Sequence, residues 1–435
     1  MNPHLIGILG LIAMLILMFT RMWVGYSMML VGFVGCGLLG GWSGILNMAG
    51  TIGYVKIADY AMSCVPLFIF MGCILFHTNL GEDIYRVARA WLSRVRGGLA
   101  VATIGACGIF AAICGDSVAT AVTMGKVSYP EMKRYGYSDK LATCCNCAGG
   151  TIGVMIPPSI PFIIYGVMTE QSIGQLFMAG VVPGLLQVLG YMVTVYIWCK
   201  INPSAGPTGS KYPMREKIRE TRNILPIVII FGFMFGGMYG GLFTPTEAGA
   251  FSAFFTLIVA LAMRRLTKRN FLSSIQDALQ TVCMVFFLIL GAFLFTRFML
   301  LSDLASLISE SMLYLHFEIG LPPGLIVVIL VLFYIFLGCF LDTLAALLLT
   351  LPFVYPIITG LGLDPIWWGV IMVRVMEIGM ISPPFGLNLF SLAKSVDMDI
   401  GTMYRGIWPF LVSDTIQVLL LAIFPVLSLY LPSHM

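Results

Sequence analysis

The chain has 435 residues, of which 59% are hydrophobic and 10% are charged, and its formal net charge at pH 7 is +4. Its mean hydropathy is +0.97, and apolar runs of about twenty residues recur along it, which predicts an all-α polytopic membrane protein. A transmembrane β-barrel is excluded because runs such as 225–243 are apolar on every face. The net charge says little about nucleic acid; the arginines and lysines instead mark cytoplasmic loops, and no nucleic-acid partner is expected.

Residues 1–97 predict scaffold helices and a cytoplasmic arm helix. The expected helices are 5–20, 24–46 and 58–80. The first has neither a basic n-region nor an obvious cleavage site, so we interpret it as a retained helix. Arginines within 81–96 place the end of the third helix in the cytoplasm, which leaves the N-terminus outside. The amphipathic stretch 82–96 predicts an arm along the membrane interface, with an ordinary connecting helix as the alternative.

Residues 98–199 predict a first transport repeat. The apolar stretch 98–130 is interrupted halfway by CGDS, and its two arms, of about 14 to 17 residues each, are too short to cross a membrane, so we expect a re-entrant hairpin. The next segment, 141–168, contains Pro157 and Pro158. A proline in a helix interior costs roughly 3 kcal/mol, so this helix is expected to be broken. A closing helix is expected at 177–199.

Residues 200–316 predict further scaffold helices with basic cytoplasmic loops. The expected elements are a basic loop at 200–222, spans at 224–243 and 246–263, a basic loop at 264–269, a span at 275–299 and an outer arm helix at 303–317. The segment FTPTEAGA between the first two spans predicts a capping box, with Thr244 as the N-cap and Glu247 as the third helical residue. A structural turn therefore accounts for this motif.

Residues 317–435 predict a second transport repeat with the same three parts. These are a hairpin at 324–356, interrupted by LDT, a helix at 366–394 broken at Pro383 and Pro384, and a closing helix at 403–430. IGVMIPP at 152–158 matches IGMISPP at 378–384, an offset of 378 − 152 = 226 residues. The same offset, without a gap, pairs Asp116 with Asp342, Tyr129 with Tyr355 and Gly180 with Gly406.

The two repeats are expected to have inverted topology. Five predicted crossings lie between the hairpins, an odd number, so the first hairpin enters from the cytoplasm and the second from outside. Inverted repeats with discontinuous helices are typical of secondary transporters, whose binding site lies at the repeat interface near the bilayer midplane. The sequence therefore predicts a transporter with two helix breaks and two hairpin tips around one centre.

The breaks predict sites for a cation and an organic anion. Irregular backbone at membrane depth is tolerated only where it is buried in protein or lines a wet cavity. Carbonyls at half-helix C-termini suit a hard cation such as Na⁺, and amides at half-helix N-termini suit an anion. The first set of cation candidates is Gly115, Asp116, Ser117, Asn146, Gly149, Gly150 and Thr151, and the second set is Gly338, Asp342, Thr343, Glu377, Gly379 and Ser382.

Alternatives stay open for several of these residues. Asp116 and Asp342 could be N-caps of the outgoing hairpin arms, or both caps and ligands. The residues expected to face the substrate are Ser117, Pro157, Ser159, Arg374, Pro383, Gly386 and Asn388. Gly386 and Asn388 could instead serve close packing. Arg374 could bind a carboxylate or sulfonate bidentately, and its alternatives are pairing with Glu377 one turn on or snorkelling to the interface.

The cysteines and histidines do not predict an enzyme. Cys144 and Cys147 have a C-x-x-C spacing, but thioredoxin-like chemistry needs a soluble βαβ context, and buried cysteine otherwise behaves as a small hydrophobe. The four histidines are scattered without a metal-binding or nucleophile–base spacing. A membrane-embedded redox protein remains the alternative from another functional class.

Several segments, in this order, resemble the large membrane subunit of the tripartite ATP-independent periplasmic (TRAP) transporters. They are YPEMKRYGY (129–137), GTIGVMIPPS (150–159), GLFTPTEAGA (241–250), FLDTLAALLLTLPFVYPI (340–357) and IGMISPPFGLNLF (378–390). The resemblance covers essentially the whole chain. It implies an importer that takes up carboxylates or sulfonates with about two Na⁺ ions by an elevator motion. It also implies cation binding around Ser117, Asn146, Gly150, Asp342 and Gly379.

The resemblance further implies two protein partners. One is a smaller four-helix membrane subunit, expected as a separate chain because this sequence starts with the first repeat's scaffold, and the other is a periplasmic substrate-binding protein. The sequence contains no ATP-binding P-loop, so an ion gradient is expected to drive transport. The expected location is the bacterial inner membrane with both termini in the periplasm. A stand-alone Na⁺ and organic anion symporter is the alternative.

Overall fold

The computed structural model describes residues 2–20, 22–78, 80–208 and 212–435. Within these ranges the regular structure is α-helix and short 3-10 helix, without a β-strand. The all-α prediction is therefore confirmed. Residue 79 of the predicted helix 58–80 and residues 209–211 of the predicted basic loop lie outside the described residues.

The first scaffold segment contains more helices than expected. It comprises α1 (Pro3–Phe19), α2 (Val24–Gly40), α3 (Trp42–Ile57), α4 (Cys64–His77) and α5 (Leu80–Leu92), with a 3-10 turn before α4 (Tyr60–Ser63). The predicted helix 24–46 is wrong in extent because the chain turns at Gly41, whose φ of +84° is accessible to glycine without strain. The helix α3, which begins after this turn, was not predicted.

The first repeat is interrupted at two places. It contains α6 (Gly98–Cys114), α7 (Ser117–Arg134), α8 (Asp139–Thr151), α9 (Ile160–Thr169) and α10 (Ile173–Ile201). Only Gly115 and Asp116 separate α6 from α7, and α7 continues past Pro130, where the predicted hairpin ended. A second interruption, between α8 and α9, contains a 3-10 turn (Ile152–Val154) and a cis bond between Pro157 and Pro158.

The second scaffold segment contains the predicted capping box. Its helices are α11 (Met214–Tyr239), α12 (Pro245–Ala262), α13 (Lys268–Leu301) and α14 (Leu304–Phe317). At the start of α12 the Glu247 amide donates to Thr244 Oγ1 at 3.3 Å, and the Thr244 amide donates to Glu247 Oε2 at 2.8 Å. The capping-box prediction is therefore confirmed. The helix α11 begins at Met214, ahead of the predicted start at 224, so part of the basic segment is helical.

A 3-10 helix (Pro432–His434) ends the second repeat, which contains six α-helices. They are α15 (Pro323–Gly338), α16 (Thr343–Gly360), α17 (Pro365–Ile381), α18 (Leu387–Val396), α19 (Ile400–Ile423) and α20 (Val426–Leu429). The Pro383–Pro384 bond, between α17 and α18, is cis. The predicted closing helix 403–430 is wrong in extent because α19 ends before Phe424, whose φ of −120° and ψ of 77° are not helical. Pro425 explains this end, since a proline disfavours helical backbone in the residue before it.

Among the described residues, seven helical segments are long and apolar enough to cross a membrane. They are Tyr60–His77, α10, α11, α12, α13, α16 and α19. The chain is therefore a multi-pass membrane protein. The expectation that every hairpin arm is too short to span is wrong for α16, which has 18 residues because it continues past Pro356 to Gly360.

Close helix packing surrounds the first scaffold segment. The helix α2 packs along α13, and α4 packs against both α12 and α13. A Cβ atom on Gly32 of α2 would lie 2.6 Å from the backbone carbonyl carbon of Leu294 on α13, so this crossing needs glycine. Small residues at such crossings allow the backbones of membrane helices to approach. The helices α2, α4 and α13 together form one wall of the cavity described next.

Candidate functional site

One cavity brings the two hairpin tips together. Its volume is about 960 Å³, and its walls are both tips, the end of α17 and the scaffold helices α2, α4 and α13. Six of the predicted cation-binding residues line it: Gly115, Asp116, Ser117, Asp342, Thr343 and Glu377. Among the described residues that line it there is no lysine, arginine or histidine. The cavity is therefore acidic, with three carboxyl side chains.

The two tips meet on one face of α17. Ser117 and Thr343 are the first residues of α7 and α16, and they occupy equivalent repeat positions because 343 − 117 = 226. Their hydroxyl oxygens lie 3.4 Å and 3.3 Å from the sulfur of Met380. The Thr343 hydroxyl also donates to Glu377 Oε1 at 2.6 Å. Met380 was not predicted as a site residue, although it follows Glu377 by three residues and so shares its helix face.

Glu377 is the most enclosed carboxyl group of the cavity wall. Its side chain is fully buried, and its second oxygen, Oε2, has no hydrogen-bond partner among the described residues. A buried polar atom without a partner is costly unless something binds it. Glu377 can therefore offer one free carboxylate oxygen to a ligand in the cavity.

Asp116 and Asp342 are both helix N-caps. Asp116 Oδ1 accepts a hydrogen bond from the Ala119 amide at 2.6 Å, and Asp342 Oδ1 accepts one from the Ala345 amide at 3.2 Å. This geometry agrees with the alternative that the two aspartates are N-caps of the outgoing hairpin arms. Each cap uses one carboxylate oxygen and leaves the other available in the cavity, so capping and cation binding are compatible.

The other candidates of the first set do not line this cavity. These are Asn146, Gly149, Gly150 and Thr151. The Asn146 amide is already engaged, since its Oδ1 accepts from Ser128 Oγ at 2.8 Å and its Nδ2 donates to the Ala142 carbonyl at 2.8 Å. Gly150 allows close packing, because a Cβ atom there would lie 2.6 Å from the Ser117 carbonyl oxygen. The first tip therefore rests directly on the end of α8.

The glycines of the second set also lie at a close crossing. A Cβ atom on Gly379 would lie 2.6 Å from the backbone of Gly338, and a Cβ atom on Gly338 would lie 2.6 Å from the Met376 carbonyl oxygen. The backbones of α15 and α17 therefore touch. Ser382 Oγ donates to the Ile378 carbonyl at 2.7 Å, within its own helix end. None of Gly338, Gly379 and Ser382 lines the cavity.

Most of the predicted substrate-facing residues lie outside the cavity wall. Ser117 lines it, whereas Pro157, Ser159, Arg374, Pro383, Gly386 and Asn388 do not. Ser159 is the N-cap of α9 and accepts from the Phe162 amide at 3.5 Å. Gly386, with a φ of +68°, precedes α18. Asn388 is fully buried, and neither atom of its amide group has a partner among the described residues.

Arg374 is fully buried in the protein and paired with an aspartate. Its guanidinium forms an ion pair with Asp414 on α19, and its Nε donates to Gln417 Oε1 at 2.9 Å. The expected pairing with Glu377 is therefore wrong, and the absence of exposed surface also contradicts snorkelling. Asp414 and Gln417 were not predicted, although an acidic residue inside an apolar membrane helix is itself a signal of a polar contact.

The two cysteines with the C-x-x-C spacing contact backbone carbonyl groups. Every cysteine is a free thiol, including Cys144 and Cys147. The Cys144 thiol lies 3.3 Å from the Met403 carbonyl oxygen, and the Cys147 thiol lies 3.7 Å from the Asn388 carbonyl oxygen. The two thiols thus contact carbonyls of two different helices, which is the behaviour of small buried side chains.

A multi-pass helical chain whose broken helices and helix tips surround an acidic cavity belongs to the class of membrane transporters. Residues 11–427 match the family model for the tripartite ATP-independent periplasmic transporter, DctM component. The chain belongs to this family, and it is a TRAP transporter large membrane subunit. Members of the family are transporter subunits and not enzymes.

Relatives with named substrates support this assignment. The C4-dicarboxylate TRAP transporter large permease protein DctM of Pseudomonas aeruginosa is 32% identical over 375 residues, which is 86% of each chain. The sialic acid TRAP transporter large permease protein SiaM of Vibrio cholerae is 30% identical over 422 residues, 96% of each chain. The isethionate TRAP transporter permease protein DctMQ of Oleidesulfovibrio alaskensis is 32% identical over 389 residues, which are 86% of this chain and 58% of the relative.

A solved structure has a similar fold. The YdaH transporter of Alcanivorax borkumensis, described as having an unusual topology, matches with a TM-score of 0.63 over 98% of each chain. Sequence identity is 11%. This likeness therefore concerns the fold alone.

Proposed function

We propose that this chain is the translocation subunit of a Na⁺-coupled importer of small organic anions. It works with a separate four-helix membrane subunit and a periplasmic substrate-binding protein in the bacterial inner membrane. The two repeats move against the scaffold helices as an elevator, and about two Na⁺ ions accompany each substrate. The substrate belongs to the carboxylates or sulfonates, the class that the names of the relatives indicate.

The acidic cavity is the observation that carries this proposal. It is lined by Asp116, Asp342 and Glu377 without a basic residue among the described lining residues. An organic anion would be repelled by these carboxylates in a medium of low dielectric constant, where charges interact strongly. Bound Na⁺ ions, which take oxygen ligands, would neutralise the carboxylates of the cavity wall and give the anion a positive charge to bind. Binding of the anion would then depend on bound Na⁺, which is the requirement for coupled transport.

The position of the cavity supports an elevator motion. Its walls come partly from the two repeats and partly from α2, α4 and α13 of the scaffold. A substrate held there lies between two bodies, so sliding of the repeats along the scaffold would carry it across the membrane.

Reconstitution tests the proposal. Proteoliposomes that hold this chain and its small subunit are assayed with the binding protein outside and an inward Na⁺ gradient, using succinate, N-acetylneuraminate and isethionate as separate probes. We expect accumulation of a probe only when both the binding protein and the gradient are present. Equal uptake without Na⁺ contradicts the proposal, and full uptake without the binding protein favours the stand-alone symporter.

Replacing Asp342 with asparagine or alanine separates its capping from its charge. Asparagine is a good N-cap, so Asp342→Asn should fold like the wild type, whereas Asp342→Ala should lose about 1 kcal/mol of stability. Both should raise the Na⁺ concentration that gives half-maximal uptake, because both remove a carboxylate from the cavity. Thermal unfolding and the Na⁺ dependence of uptake measure the two effects. Unchanged Na⁺ dependence in both variants would reduce Asp342 to a cap.

A further inference from the structure

A buried polar network joins α19 to both repeats. Arg374 on α17 and Asp414 on α19 form an ion pair without exposed surface. Gln417, one turn further along α19, accepts from Arg374 Nε at 2.9 Å and donates to the Pro183 carbonyl of α10 at 2.5 Å. The closing helix of the second repeat is therefore bonded to the broken helix of its own repeat and to the closing helix of the first.

The network continues to the end of α8. Tyr191 lies on α10, and its hydroxyl oxygen is 3.3 Å from Gln187 Nε2. The Tyr191 hydroxyl oxygen also lies 3.1 Å from Thr151 Oγ1. Gln187, one turn before Tyr191, donates from Nε2 to Thr151 Oγ1 at 2.9 Å. Thr151 is the last residue of α8, at the first helix break.

The Thr151 hydroxyl is fully occupied by these contacts. It donates to the Ala148 carbonyl at 2.7 Å, and a hydroxyl oxygen has two acceptor positions. The contacts from Gln187 and Tyr191 fill both. The side chain of Thr151 is therefore held in place and not free to bind a cation. The Gly149 and Gly150 carbonyls at the end of α8 accept from the Ile152 amide, but a carbonyl oxygen has two acceptor positions, so each can still bind a cation.

The network follows the symmetry of the repeats. Tyr191 and Gln417 occupy equivalent positions, because 417 − 191 = 226. Tyr191 contacts Thr151 on the first broken helix, and Gln417 contacts Arg374 on the second. Each closing helix thus anchors the broken helix of its own repeat, and the bond from Gln417 to the Pro183 carbonyl joins the two closing helices.

We propose that Tyr191, which contacts both Gln187 and Thr151, is a positioning residue for Na⁺ binding at the first helix break. It fixes Thr151 and thereby the orientation of the carbonyl groups at the C-terminal end of α8. Ion sites need their first ligands held to within about 0.5 Å by surrounding contacts. This inference rests on the proposed function, since it takes Na⁺ to be the coupling ion.

Tyr191→Phe tests the proposal because it removes one hydroxyl group without leaving a buried charge unpaired. The purified full chain in lipid nanodiscs is heated at increasing NaCl, with choline chloride keeping the ionic strength constant. A ligand of the folded state raises its stability with concentration, so the midpoint temperature reports Na⁺ binding. One lost hydrogen bond corresponds to about a fivefold change in an equilibrium constant. We therefore expect Tyr191→Phe to raise the half-saturating Na⁺ concentration about fivefold, and to lower the midpoint without Na⁺ no more than the loss of another buried tyrosine hydroxyl does.

Tyr334→Phe is the matched control. The Tyr334 hydroxyl lies 2.6 Å from Thr350 Oγ1, also in a fully buried pair, but within the second hairpin. We expect this variant to leave the half-saturating Na⁺ concentration unchanged. Gln187→Met removes the other donor to Thr151, so it should also raise the half-saturating Na⁺ concentration. It replaces Tyr191→Phe as the test variant if Tyr191→Phe folds poorly.

A double-mutant cycle links the effect to Thr151. If Tyr191 acts through Thr151, the changes that Tyr191→Phe and Thr151→Val cause in the half-saturating Na⁺ concentration should not add in the double variant. The positioning role of Tyr191 would be overturned if the half-saturating Na⁺ concentration changed less than twofold in both Tyr191→Phe and Gln187→Met. It would also be overturned if Tyr334→Phe changed this concentration as much as Tyr191→Phe does. A wild-type chain without Na⁺-dependent stabilisation would contradict the proposed function itself, which distinguishes the two failures.

Discussion

Replacing Arg374 with methionine is expected to lower the free energy of unfolding by about 3–5 kcal/mol, because it leaves the buried carboxyl group of Asp414 without its counter-charge. Both side chains of the pair are buried, so neither water nor a lipid head group can reach Asp414 to replace the lost counter-charge. Thermal unfolding in one detergent at constant Na⁺ concentration measures the loss. The yield of folded protein should fall in parallel.

The double variant Arg374→Met with Asp414→Leu separates a broken pair from a missing one. Replacing both partners of a buried ion pair by apolar residues is often neutral or stabilising, so we expect the double variant to recover most of the lost stability. Arg405→Met is the matched control, since Arg405 is an exposed arginine on the same helix as Asp414, and such changes stay within about 0.5 kcal/mol. Wild-type stability in the single variant would show that the pair contributes little.

The helix breaks could be predicted from the sequence because their causes are local. A proline removes a backbone donor wherever it stands, and an aspartate before an apolar run predicts a cap, so the interruptions at Pro157, Pro383, Asp116 and Asp342 were visible. The turn at Gly41 was missed although Gly40 and Gly41 form a Gly-Gly pair, which marks a turn, because the apolar pattern continues on both sides of it. The end of α19 before Phe424 was missed because the apolar pattern continues beyond Pro425.

The contacts between helices could be predicted only in part. Glu377 and Thr343 were named separately, but their hydrogen bond depends on how α16 and α17 are rotated and spaced, which hydrophobic patterns do not specify for helices that are apolar on every face. The same reason explains why the pairing of Arg374 with Asp414 was not predicted. Sequence proximity favours Glu377, one turn away, whereas the folded chain brings Asp414 to it from 40 residues further on.

Glu377→Gln is expected to have the largest effect on transport. Glutamine keeps the size of the side chain and an oxygen for the Thr343 hydroxyl, so the change removes little except the charge. At a separation of about 4 Å and an effective dielectric constant of about 20, a carboxylate attracts a monovalent cation by about 4 kcal/mol. The amide oxygen replaces part of this attraction, so we expect the half-saturating Na⁺ concentration to rise at least about tenfold.

A matched Glu→Gln change elsewhere makes this result specific. Glu247 belongs to the capping box of α12, away from the residues that line the cavity, and glutamine also serves in a capping box. Glu247→Gln should therefore leave both Na⁺ dependence and stability near wild type. If Glu377→Gln also keeps its half-saturating Na⁺ concentration within twofold, the charge of Glu377 does not attract the coupling ion. The Na⁺ sites would then have to be built from the backbone carbonyls at the helix breaks and the two aspartates at the hairpin tips.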